Sequence, residues 1–169
     1  EKWYRPDLQG IVIVGDIDVD AVEAKIKTMF TDIPAQPNAA ERIYYPVADN
    51  KEPIICILKD KEQPHVQVLL FNKHEAIPDN QKGNVDYLIQ QYAKDLISSM
   101  LNARLNELAQ TANPPYIYAG TQDGNFFVSK TKDAFLGVVV CKEDSIDNGI
   151  ATLLREIERA RQFGFTETE

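Results

Sequence analysis

The stretch that most constrains this chain runs from Gly83 to Gly120. No Gly or Pro interrupts it between Asn84 and Thr111. Val85, Leu88, Ile89, Tyr92, Leu96, Ile97, Met100, Leu101, Leu105 and Leu108 recur there at steps of three and four, which places them on one helical face. Asp86, Gln90, Gln91, Lys94, Asp95, Asn102 and Asn106 fall on the other. About 25 residues can stay helical, or roughly 38 Å at 1.5 Å per residue. Asn113-Pro114-Pro115 ends the run, because neither proline can continue the hydrogen-bond ladder and each restricts the residue before it. Tyr116-Ile117-Tyr118 then opens an extended segment. A helix this long with one apolar face is expected to lie on a sheet.

With 169 residues the chain is long enough for one domain with a real core. The net charge of -8 and the lack of a Lys/Arg cluster exclude a nucleic-acid footprint. No apolar run approaches the ~20 residues of a membrane-spanning helix. Cys56 and Cys141 both sit in strand-like runs and read as small buried hydrophobes, with a disulfide open to them only if those strands pair. The chain opens without Met, and Thr166 with Glu169 spaces like a capping box starting a further helix. The expectation is a piece of a longer protein.

Taken in order, Pro6 forces Arg5 out of the helical region. Residues 8–15 (LQGIVIVG) read as a buried strand. Asp18 reads as the cap of a helix whose face is Val22, Ile26, Met29 and Phe30, stopped at Ile33-Pro34. Residues 35–53, with Pro37, Pro46 and Pro53, read as a linker. Strands are expected over 54–59 and 65–73, joined by the polar turn Lys61-Glu62-Gln63-Pro64, and after the long helix over 115–122, 125–131 and 134–141. The last two would form a hairpin through Lys132-Asp133. Ser145 would cap a final helix presenting Ile146, Ile150, Leu153, Leu154 and Ile157, closed by Gly164. Neighbouring strands between helices indicate an α+β fold. Its sheet would be mainly antiparallel or mixed, with helices packed on one face as a two-layer sandwich.

No motif for catalysis is self-sufficient. Gly15-Asp16 lacks the further glycines of a dinucleotide loop and the Lys of a phosphate loop. His65 and His74 are the only histidines, and His74-Glu75-Ala76-Ile77-Pro78 contains neither His-x-x-x-His nor His-x-x-Glu-His. There is no Gly-x-Ser-x-Gly and no convincing carboxylate pair. Both histidines read as ordinary polar residues at strand ends.

Several pieces in this order resemble the insulinase-like (pitrilysin) zinc peptidases over essentially the whole chain. They are Trp3-Tyr4-Arg5-Pro6-Asp7, Val14-Gly15-Asp16-Ile17-Asp18, Ile33-Pro34, Lys61-Glu62-Gln63-Pro64, Ser98-Ser99-Met100-Leu101, the strand-opening Tyr116 and Gly164-Phe165-Thr166-Glu167. In that family one α+β unit binds zinc through His-x-x-Glu-His and a downstream Glu, while the next unit is inactive and helps enclose the peptide. The resemblance implies that this chain is the inactive kind, of processing-peptidase type. It implies no catalytic residue, no metal ligand and no cofactor here, with zinc in the parent protein. The implied partners are the zinc-binding unit, on the same chain or a partner subunit, and peptide substrates. A bacterial periplasm or cell-envelope location is expected. Residues 1–34 would be shared with the preceding unit, 35–53 would link, and 54–169 would form the main body. Some members bring a Tyr and an Arg from an inactive unit to the substrate, in a pattern close to Arg-Glu-Glu-x-Gly-x-x-Tyr. Tyr116 matches that Tyr; Leu108-Ala109-Gln110 stands where Arg-Glu-Glu would, Arg104 lies one turn earlier, and Asn113-Pro114-Pro115 replaces the Gly loop. The implied substrate contacts are therefore Tyr116 and Arg104. A scaffold subunit from a member that lost catalysis, or a free-standing binding module, would fit the same residues.

Overall fold

The computed structural model describes residues 4–34 and 37–169. Trp3 of the amino-terminal motif and Ala35-Gln36 of the expected linker lie outside the described residues. The chain divides into two compact units, Glu1–Ile43 and Tyr44–Glu169.

In the first unit Arg5 is extended before a short 3-10 turn, Pro6–Leu8, as the proline requires. Its buried guanidinium donates to the Ala40 carbonyl at 2.7 Å and pairs with Asp7 at 3.1 Å. Helix α1 spans Val19–Phe30, and the Asp18 carboxylate accepts from the Ala21 amide at 3.0 Å. The expected strand over 8–15 is not formed. Residues 9–14 are without regular structure, and Ile11, Val12, Ile13 and Val14 are exposed. A strand needs a hydrogen-bonding neighbour as well as an apolar sequence, and none pairs with this run among the described residues.

The second unit is the α+β body. Strand β1 is Val66–Glu75, helix α2 Val85–Ala109, β2 Tyr118–Asn125, β3 Lys132–Cys141 and helix α3 Ile146–Phe163. The sheet order is β1-β3-β2, with both pairs antiparallel. β1 runs against β3 from Val66 opposite Cys141 to Glu75 opposite Lys132. α2 and α3 cover one face. The core joins Leu101 and Leu105 of α2, Tyr116, Ala119, Val139 and Cys141 of the sheet side, and Leu153 of α3. Val68, Leu70 and Phe135 pack against it from the sheet.

Two expected features of this unit change. The hairpin does not turn at Lys132-Asp133; both residues are inside β3. The turn lies between Asn125 and Lys132, where the Phe126 amide donates to the Lys132 carbonyl and Ser129 Oγ accepts from the Thr131 and Lys132 amides. Phe127 adopts φ 53° there, a conformation uncommon for a bulky residue. Residues 54–59 form no strand, and Cys56 is exposed rather than buried; Cys141 is buried, and both thiols are free.

Candidate functional site

The carboxyl end of α2 and the Pro-Pro turn shape one site. After Ala109 the Gln110 amide donates to the Glu107 and Leu108 carbonyls, and Thr111 closes the last turn onto the Leu108 carbonyl. Asn113-Pro114-Pro115 then reverses the chain, so Tyr116 passes back beneath the helix it has just left. Its hydroxyl donates to the Leu105 carbonyl at 2.8 Å, and the ring is 2 % exposed. Burial, with the Glu156 carboxylate nearby, pushes this phenol up to about 12. The Ile117 amide donates to the Val140 carbonyl at 2.8 Å, beginning the pairing that β2 continues.

The reversal opens a cleft of about 520 Å³. Ala109, Asn113, Pro114, Tyr116 and Ile117 wall one side, and Lys142, Asp144, Ser145 and Asn148 wall the other. Ser145 stands at the amino end of α3 as expected, but its hydroxyl donates to the Lys142 carbonyl and caps no helix amide. The lining offers a hydroxyl, amides, one ammonium and one carboxylate. It can hold a polar chain, but it contains no nucleophile paired with a base.

Arg104 is committed elsewhere. Its guanidinium donates through Nε and Nη2 to the two oxygens of Glu169, the latter at 3.0 Å, and through Nη2 to the Gly164 carbonyl at 3.2 Å. Its Cζ lies 5.0 Å from the centre of the Phe165 ring, and Glu156 of α3 stands 3.8 Å from Nη1. The arginine thus ties α2 to α3 and to the carboxyl-terminal tail. The Glu169 carboxyl is held down to about 2, chiefly by the Arg104 hydrogen bond, and Arg104 is raised in turn. Thr166 and Glu169 form the backward half of a capping box, with the Thr166 amide donating to Glu169 Oε2 at 2.8 Å. Gly164 takes φ 72° and its amide reaches the Ala160 carbonyl, as a helix-ending glycine should.

A polar cluster that the sequence reading missed lies between α2 and the sheet. Asp123 of β2 accepts from Lys94 of α2 at 2.6 Å and faces His74 Nε2 at 3.0 Å. One turn pair further on, Asn102 accepts from the Thr121 amide at 2.7 Å and donates to the Thr121 carbonyl at 3.0 Å, closing the outer edge of β2. The periodicity places Lys94 and Asn102 on the polar face of α2, yet both meet the sheet. Their spacing shows it: 94, 98, 101, 102 and 105 share a face with the two buried leucines. The apolar stripe instead turns outward in the first half of α2, where Val85, Leu88, Ile89 and Tyr92 are exposed.

The donor set does not fit zinc. His74 has one carboxylate neighbour, whose other oxygen is held by a lysine, and among the described residues no three His, Cys, Asp or Glu side chains cluster.

All of residues 1–169 match the family model described as the peptidase M16 inactive domain. The chain belongs to the M16 inactive-domain family. This M16 domain is 25% identical over 169 residues to the probable zinc protease PqqL of Escherichia coli (strain K12), covering all of this chain and 18% of that one. Its fold superposes on the crystal structure of the periplasmic protease PqqL from E. coli with a TM-score of 0.73 at 21% identity, over 90% of this chain and 16% of that one. Against the structure of the first half of that protease the TM-score is 0.72, again at 21% identity, over 91% of this chain and 32% of the other. The domain therefore spans under one fifth of the length of the protease it matches.

Proposed function

We propose that this chain is the non-catalytic, substrate-enclosing unit of a longer zinc-dependent peptidase of the periplasm. Zinc would be held by a preceding unit, which would carry His-x-x-Glu-His and perform metal-assisted hydrolysis. The observation that supports this best is the match of the inactive peptidase domain over residues 1–169, alongside a structure in which Arg104 is held by Glu169 and Lys94 by Asp123. Residues 1–34 would complete the preceding unit, and 54–169 would form the main body.

An extended peptide would meet this unit at β1, since Thr121 of β2, the opposite edge strand, already has its backbone bonded to Asn102. Main-chain pairing at a free edge gives affinity without a nucleophile. Tyr116 would act on the peptide as part of the cleft wall rather than through its hydroxyl, which the Leu105 carbonyl occupies. Arg104 would act at one remove, by fixing α2 against α3 and the tail.

The test is peptide hydrolysis by the full-length protein with and without a chelator, alongside the 169-residue chain alone. Chelator-sensitive hydrolysis by the former and none by the latter is expected. Hydrolysis by the isolated chain, or a full-length protein unaffected by metal removal, would overturn the reading.

A further inference from the structure

Residues 54–59 (IICILK) form neither helix nor strand, and among the described residues they belong to no sheet. Ile54, Ile55, Ile57 and Leu58 are between 77% and 89% exposed. In a strand successive side chains point to opposite faces, so as a strand this run would place Ile54, Cys56 and Leu58 on one face and Ile55 and Ile57 on the other. Both faces are therefore apolar. Such a strand is at home only where both faces are covered and both edges are paired, at the centre of a sheet.

The sheet of this unit cannot provide that place. α2 and α3 cover one face of it only, so a strand added at β1 would leave one apolar row in water. The chain also does not attempt the pairing. The Asp60 carboxylate accepts from the Glu62 amide at 2.8 Å, the Gln63 amide reaches the Asp60 carbonyl at 3.4 Å, and β1 begins at Val66. No described backbone hydrogen bond joins 54–59 to β1.

We infer that 54–59 is a donor strand, which leaves its own unit to become an interior strand in the sheet of a neighbouring unit of the same polypeptide. The occupant follows from length: the relative that matches all of this chain is more than five times longer, so most of its sheet surface lies outside the segment seen here. The inference rests on the reading above, that the chain is one unit of a longer peptidase. It adds a place where the main body is stitched to its neighbour within the region assigned to the body itself.

Cys56 sits in the middle of the strand, and Cys141, buried in the core, serves as the internal control. Maleimide labelling of the folded 169-residue chain should modify Cys56 rapidly and Cys141 only on unfolding. In the full-length protein Cys56 should label at least about 100-fold more slowly, as for a group exposed only by opening of the structure. Ile55→Asp should leave the melting of the 169-residue chain unchanged and lower that of the full-length protein. Equal Cys56 labelling in both proteins would overturn the inference. So would protection of Cys56 in the monomeric 169-residue chain, which would mean pairing with β1, or protection only in concentrated samples of it, which would mean exchange between copies. Loss of chelator-sensitive hydrolysis with Cys56 still protected would count against the peptidase reading alone.

Discussion

At Gly149, α3 packs against Cys141 and Val139 of β3 with no room for a side chain. A Cβ there would overlap Cys141 Sγ and lie 3.3 Å from both the Pro115 carbonyl and Val139 Cγ2. Gly149→Ala should cost about 1–3 kcal/mol through overpacking. Thermal melting should show the loss, and Cys141→Ala in the same chain should return part of it. At Tyr116 the hydroxyl holds a carbonyl that already belongs to the ladder of α2. Tyr116→Phe should therefore cost only about 0.5–1.5 kcal/mol, with the fold intact by circular dichroism. At Glu169 the sign of the pH effect is fixed by its neighbour. Arg104 holds the folded carboxyl down to about 2, below its ordinary 4.5, so the unfolded chain binds the proton more readily. The stabilisation is complete above about 4.5 and fades as pH falls from there toward about 2. Urea midpoints of the chain and of Glu169→Gln should differ by a constant amount at neutral pH and converge across that acid window.

The long helix shows what a sequence can reveal of an element. Its length and its stop before the Pro-Pro turn were legible, because breakers act within a few residues, whereas the Asn84 side chain that accepts from the Tyr87 amide and caps its start was not singled out. Which side of it meets the sheet was not, since Lys94 and Asn102 are polar and only their partners Asp123 and Thr121 bring them inward. Asn102→Leu should unpin the β2 edge, costing about 1–3 kcal/mol for the backbone groups left unbonded, and it should speed amide exchange at Thr121 before that at Val139. The runs at 9–14 and 54–59 failed as strands for the converse reason. Propensity is local, but a ladder needs a second strand, and among the described residues none pairs with them. Tyr116 and Arg104 were named only through resemblance, and the structure buries both. The commitment of Arg104 to Glu169 was not legible, because it links positions 65 residues apart.

At the scale of the whole molecule the net charge is -8, and inside the fold Lys94 is paired with Asp123 and Arg104 with Glu169. Because the donor set does not fit zinc, adding a chelator should leave the melting temperature of the 169-residue chain unchanged in a calorimetric scan. A drop of several degrees would expose a structural metal. The first half of α2 leads further. Leu101 and Leu105 clamp the helix at its far end, while Val85, Leu88, Ile89 and Tyr92 look into solvent at the near end. A rod fixed at one end breathes most at the other. Deuterium uptake along this single helix should therefore form a gradient, fast near Tyr87 and slow near Leu105. Such a gradient would give the unit a compliance that a rigidly seated helix lacks.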